Sequence, residues 1–256
     1  MKFSLIIATL NRPDILFDCL IFVSKQTYKD FEVIIIDQSD DDGIKDKLSI
    51  FEMDIKYVRT KIRGLSRARN IGIKLAKGEY ICLVDDDGFY ENNVLEKANE
   101  VIMKTSPDVL GGQIVDRVAE LKLVNRQDGY VSWLDVFKTF MSPSMIIKKN
   151  FIEKVLFDEQ FGVGAKYGSG EESDIVFRAL SGKNKVYFTN LFRVNHSLTK
   201  NDSDRVYIYA YGYGSLCKKI YNKYSVTWGL YFIMKSCVGN FVLGYLLYPI
   251  FKKIIL

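Results

Sequence analysis

Short, almost continuously apolar runs alternate with amphipathic stretches through the first hundred residues. Phe3–Thr9, Phe31–Asp37 and Tyr80–Val84 have the pattern of parallel strands buried on both faces, and Ile55–Val58 is a shorter run of the same kind. Helical patterns lie between them. Asn11-Arg12-Pro13-Asp14 is a helix start with proline near the first position, and it predicts a helix to about Lys25 with Leu16, Cys19, Leu20, Phe22 and Val23 inward. Gly64-Leu65-Ser66 opens a second helix that stops at Lys77-Gly78. Asn93–Lys104 reads as a third helix and Val109–Val115 as a strand. The alternation predicts an α/β fold with a mostly parallel, Rossmann-type sheet flanked by helices.

From Asp116 to Asp158 the pattern weakens. Tyr130–Leu134 fits a strand or a short helix, Ser144–Ile147 a strand, and Phe151–Val155 one helical turn. A glycine-rich loop, Phe161–Gly170, leads into a helix over Glu171–Leu180 with acids in its first turn, as the helix dipole favours. Lys185–Thr189 and Phe192–Asn195 read as two strands, the second reaching His196, the only histidine. Residues 1–200 are expected to form the main α/β domain. Beyond Asn201 the pattern changes to Tyr207, Tyr209, Tyr211 and Tyr213 in alternation, then two lysine-flanked apolar segments. The charge-free run Ser236–Phe251 has 16 residues and contains Asn240, Gly244 and Pro249. A spanning helix needs about 20 mostly apolar residues, so residues 201–256 are expected to be helices lying in a membrane interface.

Charge sharpens that expectation. The net charge is +5, with 36 basic and 31 acidic residues, yet Arg205–Leu256 holds seven basic residues and no acidic one. The first 204 residues therefore carry 29 basic and 31 acidic groups. Aromatic and aliphatic residues beside unopposed lysines suit an anionic membrane surface better than nucleic acid. The four cysteines, Cys19, Cys82, Cys217 and Cys237, show neither metal-ligand nor disulfide spacing, which fits reduced thiols in a cytosolic setting. The apolar part of Met1–Ile7 is too short for a signal peptide. The expected location is cytoplasmic, peripheral on the inner face of the cell membrane.

The candidate chemistry centres on Asp85-Asp86-Asp87, which follow the central strand and stand where open α/β sheets bind ligands. Three adjacent carboxylates repel one another, and hard oxygen ligands on a short turn suit Mg²⁺ or Mn²⁺ bridging to phosphates. Taken alone, such a triplet reads more readily as a polar turn after a strand.

The order of the motifs resembles the inverting glycosyltransferases of GT-A fold grouped as family 2, over about residues 1–200. The resemblance rests on Ser4–Arg12, on Gln26-Thr27 with Phe31–Ser39, on Gly64–Gly72, and on Ala76–Tyr80 before Asp85–Asp87. Phe157–Phe161 and Gly168–Asp174 complete it. It implies a nucleotide-sugar donor, a UDP-sugar, held by Ala8, Thr9, Asn11, Arg12, Asp37, Gln38, Gly64, Ser66, Arg69, Asn70, Asp85 and Asp86. It implies Mn²⁺ or Mg²⁺ on Asp87 and Asp85, with His196 as a further ligand, and a base among Glu172, Glu171 and Asp174. Where the family more often has aspartate, this chain has Gln38 and Glu172; a glutamine amide still offers a donor and an acceptor to a uracil edge. One base without a covalent nucleophile implies inversion, and the implied acceptor is a glycan or a lipid-linked saccharide. Tyr211-Gly212-Tyr213-Gly214 could line the acceptor site or lie at a membrane surface. Two other classes share these features. One is a non-catalytic nucleotide-sugar-binding protein at the membrane surface, and the other is a metal-dependent phosphoryl enzyme using the aspartate cluster.

Overall fold

A computed structural model of the protein describes residues 1–41, 43–116, 121–136, 139–196 and 203–223. In chain order the elements are β1 (Phe3–Thr9), α1 (Pro13–Ser24), β2 (Phe31–Asp37), β3 (Ile55–Arg59), α2 (Leu65–Leu75), β4 (Tyr80–Asp85), β5 (Gly88–Tyr90) and α3 (Val94–Thr105). There follow β6 (Val109–Asp116), β7 (Gly129–Tyr130), β8 (Met145–Lys148), α4 (Lys149–Val155), α5 (Glu171–Ser181), β9 (Val186–His196) and α6 (Ser203–Lys223). One sheet runs in the order β3-β2-β1-β4-β8-β6-β9-β5, with β7 beside β9.

The pleat sorts side chains onto two covered faces. Phe3, Leu5 and Ile7 of β1 join Val33 and Ile35 of β2 and Cys82 and Val84 of β4 beneath α1 and α3. Ile6, Ile34, Ile36, Ile81 and Leu83 face α2, α5 and α6 on the other side. Burial on both faces is why these strands read as unbroken apolar runs. Close packing fixes two small residues: a Cβ on Gly72 of α2 would lie 2.6 Å from Ile6, and one on Gly78 would lie 2.5 Å from the Phe3 carbonyl carbon.

The expectation of a mostly parallel sheet holds for six of the nine strands, and three run against them. Strands β1 to β4 pair in parallel, but β8 lies antiparallel between β4 and β6, and β5 and β7 lie antiparallel to β9. Only β6–β9 restores a parallel pair, so the sheet is mixed. Periodicity reports burial and not strand direction, and the reversing strands lie mostly in the stretch of weak pattern.

Gly88, just beyond the three aspartates, starts the short strand β5. The two strands expected over 185–195 are one strand, β9, with a shift of register at Gly111/Gln113 of β6. The extra β9 residues there are held by Asp128, which accepts from Thr189 Oγ1 and from the Asn190 amide.

Helix α6 falls within the stretch that the pattern sets apart as a tail. Its Leu216, Cys217 and Ile220 are buried in the same core as Phe177 of α5. Tyrosines two apart point about 200° apart on a helix, so the alternation divides between a Tyr207/Tyr211 face and a Tyr209/Tyr213 face. No helix among the described residues is long and apolar enough to cross a membrane. The apolar run 236–251 lies outside the described residues.

Candidate functional site

The carboxyl ends of β1, β2 and β4 lie side by side, Thr9 opposite Asp37 and Ala8 opposite Asp85. The loops after these strands therefore converge on one edge of the sheet. Asn11, in the left-handed region at φ 54°, ties two of them: its amide N–H donates to Ser39 Oγ (2.8 Å) and its side chain pairs with Asp40. Asp37 is fully buried and spends both oxygens internally, on the Ser39 amide (2.8 Å) and the Tyr57 hydroxyl (2.7 Å). Gln38 is buried beside Thr9, and its Oε1 has no hydrogen-bond partner among the described residues. Tyr57 carried no sequence signal, because only the parallel register of β2 and β3 brings it to Asp37.

The three aspartates separate into different roles. Asp86 turns inward, 1% exposed, accepting from Thr9 Oγ1 (2.8 Å) and pairing with Arg12. Burial pushes its carboxyl up to about 6, against the pull of Arg12 and Thr9. Burial also raises Asp85, opposed chiefly by Arg69, whose guanidinium lies 3.0 Å from Asp85 and 3.5 Å from Glu171. Asp87 is partly exposed, and the hydrogen bond from His196 holds it below the ordinary carboxylate range despite burial.

His196 Nε2 lies 3.2 Å from Asp87 Oδ1. The β5–β9 pairing sets Gly88 opposite His196 and so delivers the histidine to a turn more than a hundred residues away in the chain. Ligand atoms of Asp85, Asp87 and His196 all lie within 4.8 Å of one another. Two carboxylate oxygens and an imidazole nitrogen make a donor set that fits Mn²⁺ or Mg²⁺.

Helix α5 brings the second acidic group. Glu171 and Glu172 stand in its first turn behind Gly170, whose φ of 98° needs glycine. Glu171 is buried with Oε2 unpartnered among the described residues; burial and then the Glu172 charge push its carboxyl well up. Glu172 is half-buried, accepts from Ser142 Oγ and is close enough to Asp85 to raise its pKa. Asp174 is not brought to the cluster: it is 1% exposed and paired with Arg178 (2.8 Å) and Lys219 (2.7 Å).

Helix α2 joins the two halves. Its Arg69 spans Asp85 and Glu171, while Ser66 donates to the Phe161 carbonyl (2.6 Å) and Asn70 holds the Phe157 backbone. Gly64, at φ 123°, starts the helix and borders a cleft of about 180 Å³ lined also by Arg63, Arg67, Gly164 and Lys166. Sequence reasoning gave no role to Ser142 or Lys219. Ser142 sits in the stretch of weakest pattern, and Lys219 was read only as tail charge.

Comparison with known proteins agrees with this geometry. The family model described as glycosyl transferase family 2 matches residues 4–163. Glycosyltransferase GlyG of Streptococcus pneumoniae serotype 4 is 24% identical over 250 residues, covering 88% of this chain and 75% of that protein. Amylovoran biosynthesis glycosyltransferase AmsB of Erwinia amylovora is 25% identical over 181 residues, covering 63% of this chain and 60% of its own length. Crystal structures of S. aureus TarS share the fold. Its 1–349 fragment in complex with UDP-GlcNAc superposes with a TM-score of 0.68 at 20% identity, over 87% of this chain and 67% of that one. The full TarS structure is 40% covered. With its family model spanning more than half its length, the chain belongs to glycosyl transferase family 2 and is a glycosyltransferase.

Proposed function

We propose that the enzyme moves a sugar from a nucleotide-diphosphate sugar, a UDP-sugar, to a hydroxyl of a glycan or lipid-linked acceptor, by a metal-dependent single displacement. The observation that carries this is the meeting of Asp85, Asp87 and His196 with the Glu172 carboxylate across one sheet edge. A divalent ion bound by those three residues would offset the charge that builds on the departing diphosphate. UDP-GlcNAc in TarS supports a uridine donor here, and so does Gln38, whose buried, unpartnered Oε1 can accept from the uracil N3–H.

The remaining steps belong to side chains of this chain. Arg12 and Arg69 neutralise Asp86 and Asp85, so the cluster stays assembled. Glu172, steered by Ser142, takes the proton of the acceptor hydroxyl as its oxygen bonds the anomeric carbon. The bond from that carbon to the diphosphate breaks on the opposite face, inverting its configuration, and the nucleoside diphosphate leaves. Glu171 is buried and held by Arg69, and Asp174 is committed to two cations, so neither is as well placed as Glu172 to receive that proton.

The test is Glu172→Gln. Transfer from a panel of UDP-sugars should fall by about 10²–10⁴ while calorimetric UDP binding persists. Undiminished transfer would remove Glu172 as the base. A nucleotide-sugar-binding protein without turnover would show no transfer in either form.

A further inference from the structure

Helix α6 lies beyond the residues matched by the family model and carries an aromatic surface. Tyr207 is 62% exposed and Tyr211 39% exposed. Their rings stack nearly parallel, at 5° and 6.3 Å between centroids, and Tyr211 meets Tyr167 of the glycine-rich loop at 5.6 Å. Tyr167 in turn packs on buried Phe161 at 5.0 Å. The strip is fixed in place. Ser169 of the same loop donates to the Tyr209 carbonyl (3.1 Å), and a Cβ on Gly212 would strike the Ser169 backbone, so loop and helix are in van der Waals contact.

We propose that Tyr167, Tyr211 and Tyr207 form a stacking platform for a saccharide acceptor longer than one sugar. The inference rests on the glycosyl-transfer reading of the site and specifies its acceptor class. An aromatic face is electron-rich and attracts the polarised C–H hydrogens of a pyranose face, and hydroxyl tips remain free to hydrogen-bond the sugar rim. Contiguous exposed apolar patches mark interaction or ligand-binding surfaces. The two stacked rings, 6.3 Å apart between centroids, are spaced on the scale of successive pyranose units.

The strip also has a direction. The strip begins beside the acidic helix: Tyr211 meets Tyr167 of the loop that leads into α5, and a Cβ on Gly170, directly before Glu171 and Glu172, would lie 3.6 Å from the Gly212 carbonyl oxygen. A saccharide stacked on the strip therefore ends near the carboxylate that would deprotonate it. Membrane insertion is the competing use, but this strip is held against the loop that leads into α5 by the Tyr167–Tyr211 contact and the Ser169 hydrogen bond.

The experiment is saturation-transfer NMR on the full chain with soluble gluco-, galacto- and manno-oligosaccharides and N-acetylglucosamine oligomers. It is run beside UDP calorimetry with Mn²⁺ and sedimentation with phosphatidylglycerol vesicles. At least one saccharide should receive saturation at its C–H protons. The double variant Tyr207→Ala/Tyr211→Ala should weaken that affinity by about tenfold, and Tyr207→Phe/Tyr211→Phe should restore it. Intact UDP binding with no saccharide signal, or with signals indifferent to the alanines, overturns the platform and leaves the donor site standing. Vesicle binding lost in the alanine variant, without saccharide binding, also overturns it and assigns the strip to a membrane. Absence of UDP binding in the wild type overturns the donor reading and this inference with it.

Discussion

Replacing Lys219 with methionine removes a charge while keeping most of the side-chain volume. Lys219 Nζ lies 2.7 Å from Asp158 Oδ2 and 2.7 Å from Asp174 Oδ1. Arg178, 2.8 Å from the second Asp174 oxygen, completes a set of two cations and two carboxylates joining α6, α5 and the loop after α4. In the variant a single cation faces both carboxylates. Each lost attraction is worth about 4 kcal/mol gross at an effective dielectric near 20, but desolvating the ammonium costs the wild type several kcal/mol on folding, a cost the variant lacks. The Asp158 side chain is 25% exposed and can draw in water, whereas Asp174 at 1% cannot. The balance is a loss of about 3 kcal/mol, at the low end for a broken buried pair.

Urea unfolding followed by circular dichroism at about pH 7, with an unchanged m-value, reads this directly. Burial raises the Asp158 carboxyl, but Lys219 and the Gln160 amide outweigh it and leave its folded pKa below the ordinary value. Stability from such a group is present above the unfolded pKa and is lost as pH falls through the folded one. The gap between wild type and variant should therefore narrow as the solution is acidified. A loss under about 1 kcal/mol, or a gap that widens in acid, would refute the reasoning that α6 is electrostatically locked to the catalytic fold.

Two further stability predictions concern the acidic helix and its cover. Glu171 has a raised folded pKa from burial and then the Glu172 charge, so its contribution is complete below the unfolded value and is lost as pH rises through the folded one. Glu171→Gln should gain on wild type as pH rises from about 5 to about 8, by about 1.4 kcal/mol for each tenfold difference in proton affinity between folded and unfolded chains. Urea titrations at the two pH values check the sign, and a falling advantage contradicts it. Gly212→Ala places a Cβ 2.3 Å from Ser169 Oγ and 2.6 Å from its carbonyl oxygen. The variant should lose about 1–3 kcal/mol; unchanged stability would mean that α6 does not bear on the loop.

The parallel half of the sheet was legible because β1, β2 and β4 are buried on both faces, which leaves an unbroken apolar signature in the chain. Asp85 and Asp87 could be found because they sit at the end of such a strand. What sequence could not give was set by pairing across distance. The three residues of β5 have no pattern of their own; their pairing with β9 carries His196 to Asp87, a meeting that only the family resemblance implied. Local spacing cannot separate Glu171, Glu172 and Asp174, which share one turn of helix; only the partners Arg69, Ser142 and Lys219 tell them apart. The tail was expected to be helical and interfacial; α6 is a helix, and its apolar Leu216 and Ile220 anchor it to the core. Gly168, Gly170 and Gly212 let the loop and helix approach, a contact between distant segments that no local pattern announces.

The most direct measurement is calorimetric binding of UDP, against GDP and dTDP, with and without Mn²⁺, to wild type and to Asp87→Ala. The account predicts UDP binding that requires both the metal and Asp87, with the other two nucleotides weaker. No nucleotide binding by the folded wild type, or UDP binding indifferent to Mn²⁺ and to Asp87, would contradict it.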